Sequence, residues 1–181
     1  MSSPLRDLTE LAPPPSPSPA DVDWALVEAA LHRELPADYK ALVKYYGSGS
    51  FCDYITLMVP ADVGKAYDIV RSNDGHSDFA AEIWEDSDEK PYEFSADLGY
   101  ELVLWARTID GDTLNWLAHP DQPPAAWRTL LVSRDIAEAW EHHDAPATAV
   151  LLGLLTGDIE SDIITPDIDE PSFTSYPVDG D

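Results

Sequence analysis

The sequence predicts an α+β domain in which a mainly antiparallel sheet is flanked by N-terminal and C-terminal helices. Apolar residues recur at helical spacing between positions 20 and 47, alternating aromatic and β-branched runs follow, and an apolar helical segment lies near position 150. Helices, then strands, then helices in this order are typical of α+β folds rather than of alternating parallel βαβ units. We expect the 181 residues to form one domain.

Two short helices joined by a Leu-Pro turn are predicted at the start of this domain. Ser18 and Asp21 form a capping-box start for a helix that runs to about Glu34. Pro36 ends that helix and opens the second, because proline disfavours helical geometry before it but suits a first turn. Gly47 supplies the left-handed stop. The residues expected to face inward are Trp24, Val27, Leu31, Tyr39, Leu42, Val43 and Tyr46.

The sheet is predicted from runs of aromatic and β-branched residues. Four strands are expected, at Phe51–Val59, Glu101–Arg107, Thr113–Ala118 and Trp127–Val132. Asp110-Gly111 provides the favoured chemistry of a tight hairpin between the second and third of them. After the first strand, Asp62 is expected to cap a short helix that reaches Val70. Residues 72–97 show no helix or strand periodicity.

Two more helices are predicted after the strands, one from Asp135 to about His143 and one from Pro146 through residues 147–155. Outside the domain, residues 1–20 form a proline-rich leader that stiffens toward polyproline II. The acidic tail is expected to be extended, with four side chains docked on the domain: Ile163, Ile164, Phe173 and Tyr176. The predicted organisation is therefore a leader (1–20), an α+β domain (21–157) and an acidic C-terminal tail (158–181).

Charge composition limits the classes of partner. The chain has 35 Asp and Glu residues against 10 Lys and Arg, a formal net charge of −25. Nucleic-acid binding depends on Lys and Arg that neutralise phosphates, and the cations here are few and scattered, so we expect no nucleic-acid partner. Anionic membrane surfaces are disfavoured for the same reason. A basic protein is the natural partner of such a surface.

The sequence also predicts a cytoplasmic protein. Cys52 is the only cysteine, so no disulfide forms within the chain, and the thiol is expected to act as a small buried apolar group. The longest apolar stretch, residues 147–155, is far shorter than the roughly 20 residues that cross a bilayer. The N-terminus lacks the basic and apolar regions of a signal peptide.

Short motifs of structural residues are distributed over the middle of the chain. They are Leu35-Pro36-x-Asp38-Tyr39, Tyr45-Tyr46-Gly47-x-Gly49-x-Phe51 and Asp97-x-Gly99-Tyr100-Glu101, followed by Trp105, Gly111-Asp112 and Trp116. These motifs resemble the signature of the SUKH superfamily, the Smi/Knr type, over residues 20–157. The resemblance implies an α+β domain used for binding. Many bacterial members are immunity proteins that neutralise polymorphic toxins, often nucleases, by direct association, and fungal relatives are regulatory hubs in cell-wall assembly.

An acidic segment over residues 82–93 is the strongest candidate for a partner-binding site. We expect its carboxylates to pair with Lys or Arg of a basic groove while its aromatic rings fill pockets, since interface energy concentrates in such rings. The candidate residues are Trp84, Glu85, Asp86, Asp88, Glu89, Tyr92 and Glu93. The alternative is a solvated charged loop with Trp84 in the core. The acidic tail is a second candidate, either as a phosphate mimic over a cationic cleft or as a solubilising, disordered end.

Other chemistry finds little support in the residues. His142 and His143 invite a metal site, but adjacent residues on the predicted helix point about 100° apart, and a helix C-terminus explains both. No catalytic motif or cofactor fingerprint is present, so we expect no enzyme and no cofactor. The predicted function is a noncatalytic protein-binding domain, an immunity protein that neutralises a cationic toxin. The alternative is an intracellular regulatory or scaffold domain that binds an endogenous protein.

Overall fold

The structure, a computed structural model, describes residues 3–60 and 66–177. Over these residues the chain forms six α-helices and one seven-stranded sheet. The helices are α1 (Pro4–Leu11), α2 (Trp24–Leu31), α3 (Ala37–Tyr46), α4 (Ile69–Ser72), α5 (His76–Glu85) and α6 (Ala147–Thr156). The predicted α+β fold, with helices flanking an antiparallel sheet, is confirmed.

The sheet is antiparallel at every described strand pair and runs in the order β6-β5-β4-β3-β2-β1-β7. Its strands are β1 (Gly49–Phe51), β2 (Ile55–Leu57), β3 (Glu101–Thr108), β4 (Thr113–Ala118), β5 (Arg128–Val132), β6 (Trp140–His143) and β7 (Phe173–Ser175). Strands β1 to β6 therefore follow one another across the sheet in chain order, and β7 returns to pair with β1.

The two faces of the sheet carry separate hydrophobic clusters. On β4 and β5, Leu114, Trp116 and Leu131 belong to a large cluster shared with α1, α3 and α6. The alternating residues Leu117 and Leu130 belong to a smaller cluster that includes residues of α5. Because side chains alternate across a strand, the two clusters lie on opposite faces. The fold thus has three layers, with α5 on the side of the sheet opposite α6.

The two predicted N-terminal helices are present with different lengths. The second is confirmed: α3 ends at Gly47, whose φ is 65°, and its four predicted inward residues are buried. The first begins at Trp24 rather than near Ser18, because the Asp23 side chain accepts the hydrogen bond from the Leu26 amide and so supplies the cap. Of its predicted inward stripe, Val27 is buried and the other two residues are half-buried.

The predicted first strand, Phe51–Val59, is wrong because it contains a turn. Cys52 and Asp53 adopt left-handed backbone conformations, with φ of 54° and 51°, and join β1 to β2. Two successive positive φ values are typical of the tight hairpin turns that match strand twist. Cys52 is consequently half-exposed in this turn rather than buried.

Between β2 and α5 the chain forms the short helix α4. The predicted cap, Asp62, lies outside the described residues. Within them, α4 begins at Ile69, and the Asp68 side chain accepts a hydrogen bond from the Arg71 amide at 2.8 Å. A helix is therefore present in this region, with Asp68 as its described cap.

The strands of the central hairpin and β5 lie where they are predicted, within one residue. The helix predicted from Asp135 to His143 is wrong. Residues Trp140–His143 instead form β6, which pairs with β5 from Val132 to Thr129. The strand forms because its backbone pairs with β5, which local helix-start signals such as Asp135 do not reveal. The final helix is confirmed as α6, which ends at Gly157 with a φ of 79°.

The proline-rich leader is not extended throughout. Pro4–Leu11 forms α1, with the Ser3 side chain accepting from the Arg6 amide. Leu8 is fully buried in the large cluster, and α1 packs against α6. Burial of this apolar side chain stabilises the segment as part of the folded domain.

The acidic tail is docked on the domain, as predicted. Its described part, residues 158–177, is ordered, so the alternative of a disordered end does not apply to it. We call residues 158–177 the C-terminal strap. Ile164 is buried in the large cluster, and Phe173 packs on the rings of Tyr46 and Phe51. The Asp162 amide donates to Glu141 of β6, whereas β7 pairs with β1. The strap thus passes from one edge of the sheet to the other, on the side of the large cluster.

Candidate functional site

Helix α5 carries the first part of the acidic segment. Ala80 and Trp84 lie one helical turn apart, and both are buried in the smaller hydrophobic cluster, on the face of the sheet opposite α6. Gly75, with a φ of 71°, allows the chain to turn from α4 into α5. Residues 76–85 are therefore helical, whereas no periodicity was visible in the sequence there.

Trp84 is a core residue. Its side chain has no exposed surface, and its indole N–H donates to the Ile136 carbonyl at 2.9 Å. Its ring packs at 4.8 Å from Phe94 and 6.2 Å from Trp140. Trp84 is thus unavailable to a partner, and the alternative that placed it in the core is confirmed.

Glu93 is also internal. Its carboxylate accepts hydrogen bonds from Arg128 of β5 at 2.8 Å and from His142 of β6 at 3.0 Å, and only 4% of its surface is exposed. Burial raises the pKa of Glu93, but these two partners outweigh it, so the pKa lies below its ordinary value. Glu93 therefore fixes the 3₁₀ turn Tyr92–Phe94 to the sheet and does not face solvent.

The other five predicted site residues remain at the surface. Tyr92 is 73% exposed. The four carboxylates are exposed and enter no ion pair within the described part of the chain: they are Glu85, Asp86, Asp88 and Glu89. Because these four carboxylates have no cationic partner within the described chain, they can pair with Lys or Arg of another protein.

The outward side of α5 adds Asp78 and Phe79, which precede the predicted segment, and Glu82, its first residue, which was not among the candidate site residues. Phe79 is 58% exposed, and Asp78 and Glu82 beside it are exposed as well. At about 100° per residue, Phe79 lies about 140° around the helix from Trp84. The spacing of Ala80 and Trp84, four residues apart, is the sequence signal that could have revealed α5 and therefore its outward side. We define the acidic face as Asp78, Phe79, Glu82, Glu85, Asp86, Asp88, Glu89 and Tyr92.

A cleft of about 420 Å³ lies beside the N-terminal end of α5. The end of α2, the turn between α4 and α5 and the start of β3 form its walls. Its charges are mixed, because Arg71 faces it with Asp78, and Arg33 forms an ion pair with Glu101. The cleft therefore lacks the single sign of charge that the acidic face has.

The two adjacent histidines do not form one site. They lie on β6, where successive side chains point to opposite faces, and not on a helix end. His142 contacts Glu93, while His143 lies 3.5 Å from Glu141. In residues 3–60 and 66–177, no group of three or more His, Cys, Asp or Glu side chains is arranged to hold a metal ion.

No helix among the described residues is long and apolar enough to cross a membrane. No family model matches the chain, and no match is found among curated proteins or among solved structures.

Proposed function

We propose that the protein is a noncatalytic, cytoplasmic binding domain of the SUKH type, an immunity protein that neutralises a cationic toxin by direct association. One observation carries the proposal: four exposed carboxylates that enter no ion pair among the described residues lie near the exposed ring of Tyr92 in the sequence. Such a surface is complementary to a basic groove that has a pocket for an aromatic ring.

The electrostatics favour fast capture of a basic protein. The acidic face lies on a molecule of net charge −25, so the local and the overall fields act in the same direction. Complementary fields of this kind raise association rates by about 10- to 1000-fold, and salt screens them. Occupying the cationic cleft of the toxin then blocks access of its substrate.

The positions of the family-like residues support the SUKH assignment within this proposal. Pro36 opens α3 and Gly47 closes it. Trp105 and Trp116 are buried, and their rings stack with centroids 5.9 Å apart. These motif residues act on the fold, as expected for a family defined by its scaffold, while partner choice depends on the surface.

The first experiment uses the product of the open reading frame beside this gene as the candidate toxin. Its toxicity should appear only when this protein is absent, and the two proteins should form a stoichiometric complex. A regulatory or scaffold domain would instead bind its partner without abolishing the partner's activity. A harmless neighbour that fails to bind would contradict the immunity function.

Charge reversal tests the surface in that complex. The triple variant D86K/D88K/E89K should slow association about tenfold or more and flatten its salt dependence. The matched control is D167K/D169K/E170K, which makes the same charge change at exposed positions of the strap. Stopped-flow kinetics in 0.02–0.5 M NaCl gives both quantities. Equal effects of the two variants would remove the acidic face from the interface.

A further inference from the structure

The exposed Phe79 ring stands out among the phenylalanines. Of the four in the chain, Phe51 is fully buried, and Phe94 and Phe173 pack on other aromatic rings. Phe79 is 58% exposed on the solvent side of α5. Exposed aromatic surface of this kind loses contact with water when a partner covers it, which favours association.

Carboxylates lie near this ring on the outward side of α5. Asp78 precedes Phe79, and Glu82 and Asp86 follow at the i+3 and i+7 positions, which lie on the same side of a helix. At 1.5 Å per residue, Phe79 and Asp86 are separated by about 10 Å along the axis. The outward side of α5 thus carries an apolar ring near its start and carboxylates toward its end, and the exposed Tyr92 follows in the sequence.

We propose that Phe79 is the apolar anchor of the acidic face, and that the partner is a protein with an apolar patch bordered by Lys and Arg. This inference rests on the proposed function and names the chemistry of its partner. Trp84 cannot be the anchor because it is buried, so Phe79 and Tyr92 are the exposed rings of this face. Charge complementarity selects a basic rim around that apolar patch.

Two labelled peptides of equal positive charge test the proposal. One is an 18-residue amphipathic helix of Lys and Leu, and in the other each Leu is replaced by Ser. Fluorescence anisotropy should show the Leu peptide binding at least about tenfold more tightly. Phe79→Ala should weaken binding of the Leu peptide about tenfold and leave that of the Ser peptide unchanged. Thermal unfolding should be unchanged because the ring is exposed.

The matched control is Ile109→Ala, which truncates a 76% exposed apolar side chain on the β3–β4 hairpin, beside Asp110. It should leave both affinities unchanged. The proposal is overturned if Phe79→Ala binds the Leu peptide like the unaltered protein, or if both truncations weaken it equally. Binding of neutral phosphatidylcholine vesicles that depends on Phe79 would also overturn it, in favour of a membrane contact.

The variant D86K/D88K/E89K separates this inference from the proposed function. If it weakens binding of both peptides while Phe79→Ala has no effect, the acidic face binds basic partners but Phe79 is not its apolar anchor. If it changes neither affinity, the acidic face itself is not the basic-protein surface. In that case the exposed carboxylates of this face do not bind basic partners, and the proposed function loses the observation on which it rests.

Discussion

Glu93 shows how one carboxylate can differ from its neighbours in the same acidic segment. Four residues earlier, Glu89 is exposed and enters no ion pair among the described residues. Glu93 is buried between Arg128 and His142, which belong to two different strands. A buried carboxylate with two donors stabilises the fold only while all three groups are present, since an unpaired buried charge is costly. Glu93 therefore joins the turn before β3 to the far edge of the sheet.

Glu93→Gln should lower the free energy of unfolding by about 1–3 kcal/mol at pH 7, because the neutral amide loses two charge-assisted hydrogen bonds. Urea denaturation followed by Trp fluorescence measures the change. Glu85→Gln is the control, since this exposed residue enters no ion pair in the described residues, and it should stay within about 0.5 kcal/mol.

The pH dependence of the same pair of proteins follows from the lowered pKa of Glu93. A group whose pKa is lower in the folded state adds stability above its unfolded pKa, and that stability is lost as the pH falls through the folded value. The difference between the unaltered protein and Glu93→Gln should therefore be largest near neutrality and shrink below about pH 4.5. A constant difference down to pH 3 would show that ionisation of Glu93 contributes nothing.

Among the elements, β7 depends on a glycine in its partner strand. A Cβ on Gly49 would overlap the Thr174 carbonyl oxygen and the Phe173 ring. Gly49 has no left-handed backbone, so its role here is to let β7 approach closely. The strand is further held by hydrogen bonds from the Cys52 amide to Ser172 and from the Tyr176 amide to Ser48.

Gly49→Ala should release β7 and lower the free energy of unfolding by about 1–3 kcal/mol, as overpacking does. Hydrogen exchange at residues 172–176 measures the release directly, because their amides should exchange faster. Thr174→Ala, at an exposed position of the same strand, should leave exchange unchanged. If Gly49→Ala keeps the amides protected, the steric reason for this glycine is wrong.

The elements that sequence reasoning found are those with strong local signals. Pro36 and Gly47 delimit α3, and Asp110-Gly111 turns the central hairpin. The turn at Cys52-Asp53 was missed because two residues without a glycine adopt left-handed conformations inside an apolar run. β6 was missed because its conformation depends on pairing with β5, a contact that no local pattern encodes.

The candidate site was predictable in part for the same physical reason. Asp86, Asp88 and Glu89 were expected at the surface because unpaired charges avoid burial on any fold. The burial of Trp84 and Glu93 depends on partners 35 to 52 residues away in the chain, which spacing cannot reveal. Phe79 lay outside the predicted segment because α5 was not identified.

At the scale of the whole molecule, negative charge covers both sides of the sheet. The acidic face lies on the α5 side, and the strap places further exposed carboxylates on the α6 side: Asp158, Glu160, Asp162, Asp167, Asp169 and Glu170. One flat partner surface cannot cover both. Because the strap lies on the other side of the sheet, charge reversal there is a suitable control for charge reversal on the acidic face. The separation also distributes the repulsion between like charges over the whole fold.

Sodium chloride should therefore raise the melting temperature. Between 0.01 and 0.5 M salt, screening of like charges should add about 1 kcal/mol, or about 2–4 °C for a chain of this size. Differential scanning calorimetry measures the shift. The variant D86K/D88K/E89K, in which three changes of two charge units reduce the net charge from −25 to −19, should gain less. A melting temperature that falls with salt would mean that attractive ion pairs outweigh repulsion.

The pairing of β7 with β1 has a consequence for biosynthesis. Residues 173–175 leave the ribosome more than 120 residues after their partner strand, Gly49–Phe51. Until then the nascent chain presents the unpaired backbone groups of that strand, together with the uncovered side of Phe51. Open strand edges recruit other polypeptides. A chaperone that covers open strand edges should therefore be needed until residues 173–175 have emerged from the ribosome, and stalling before that point should yield aggregates.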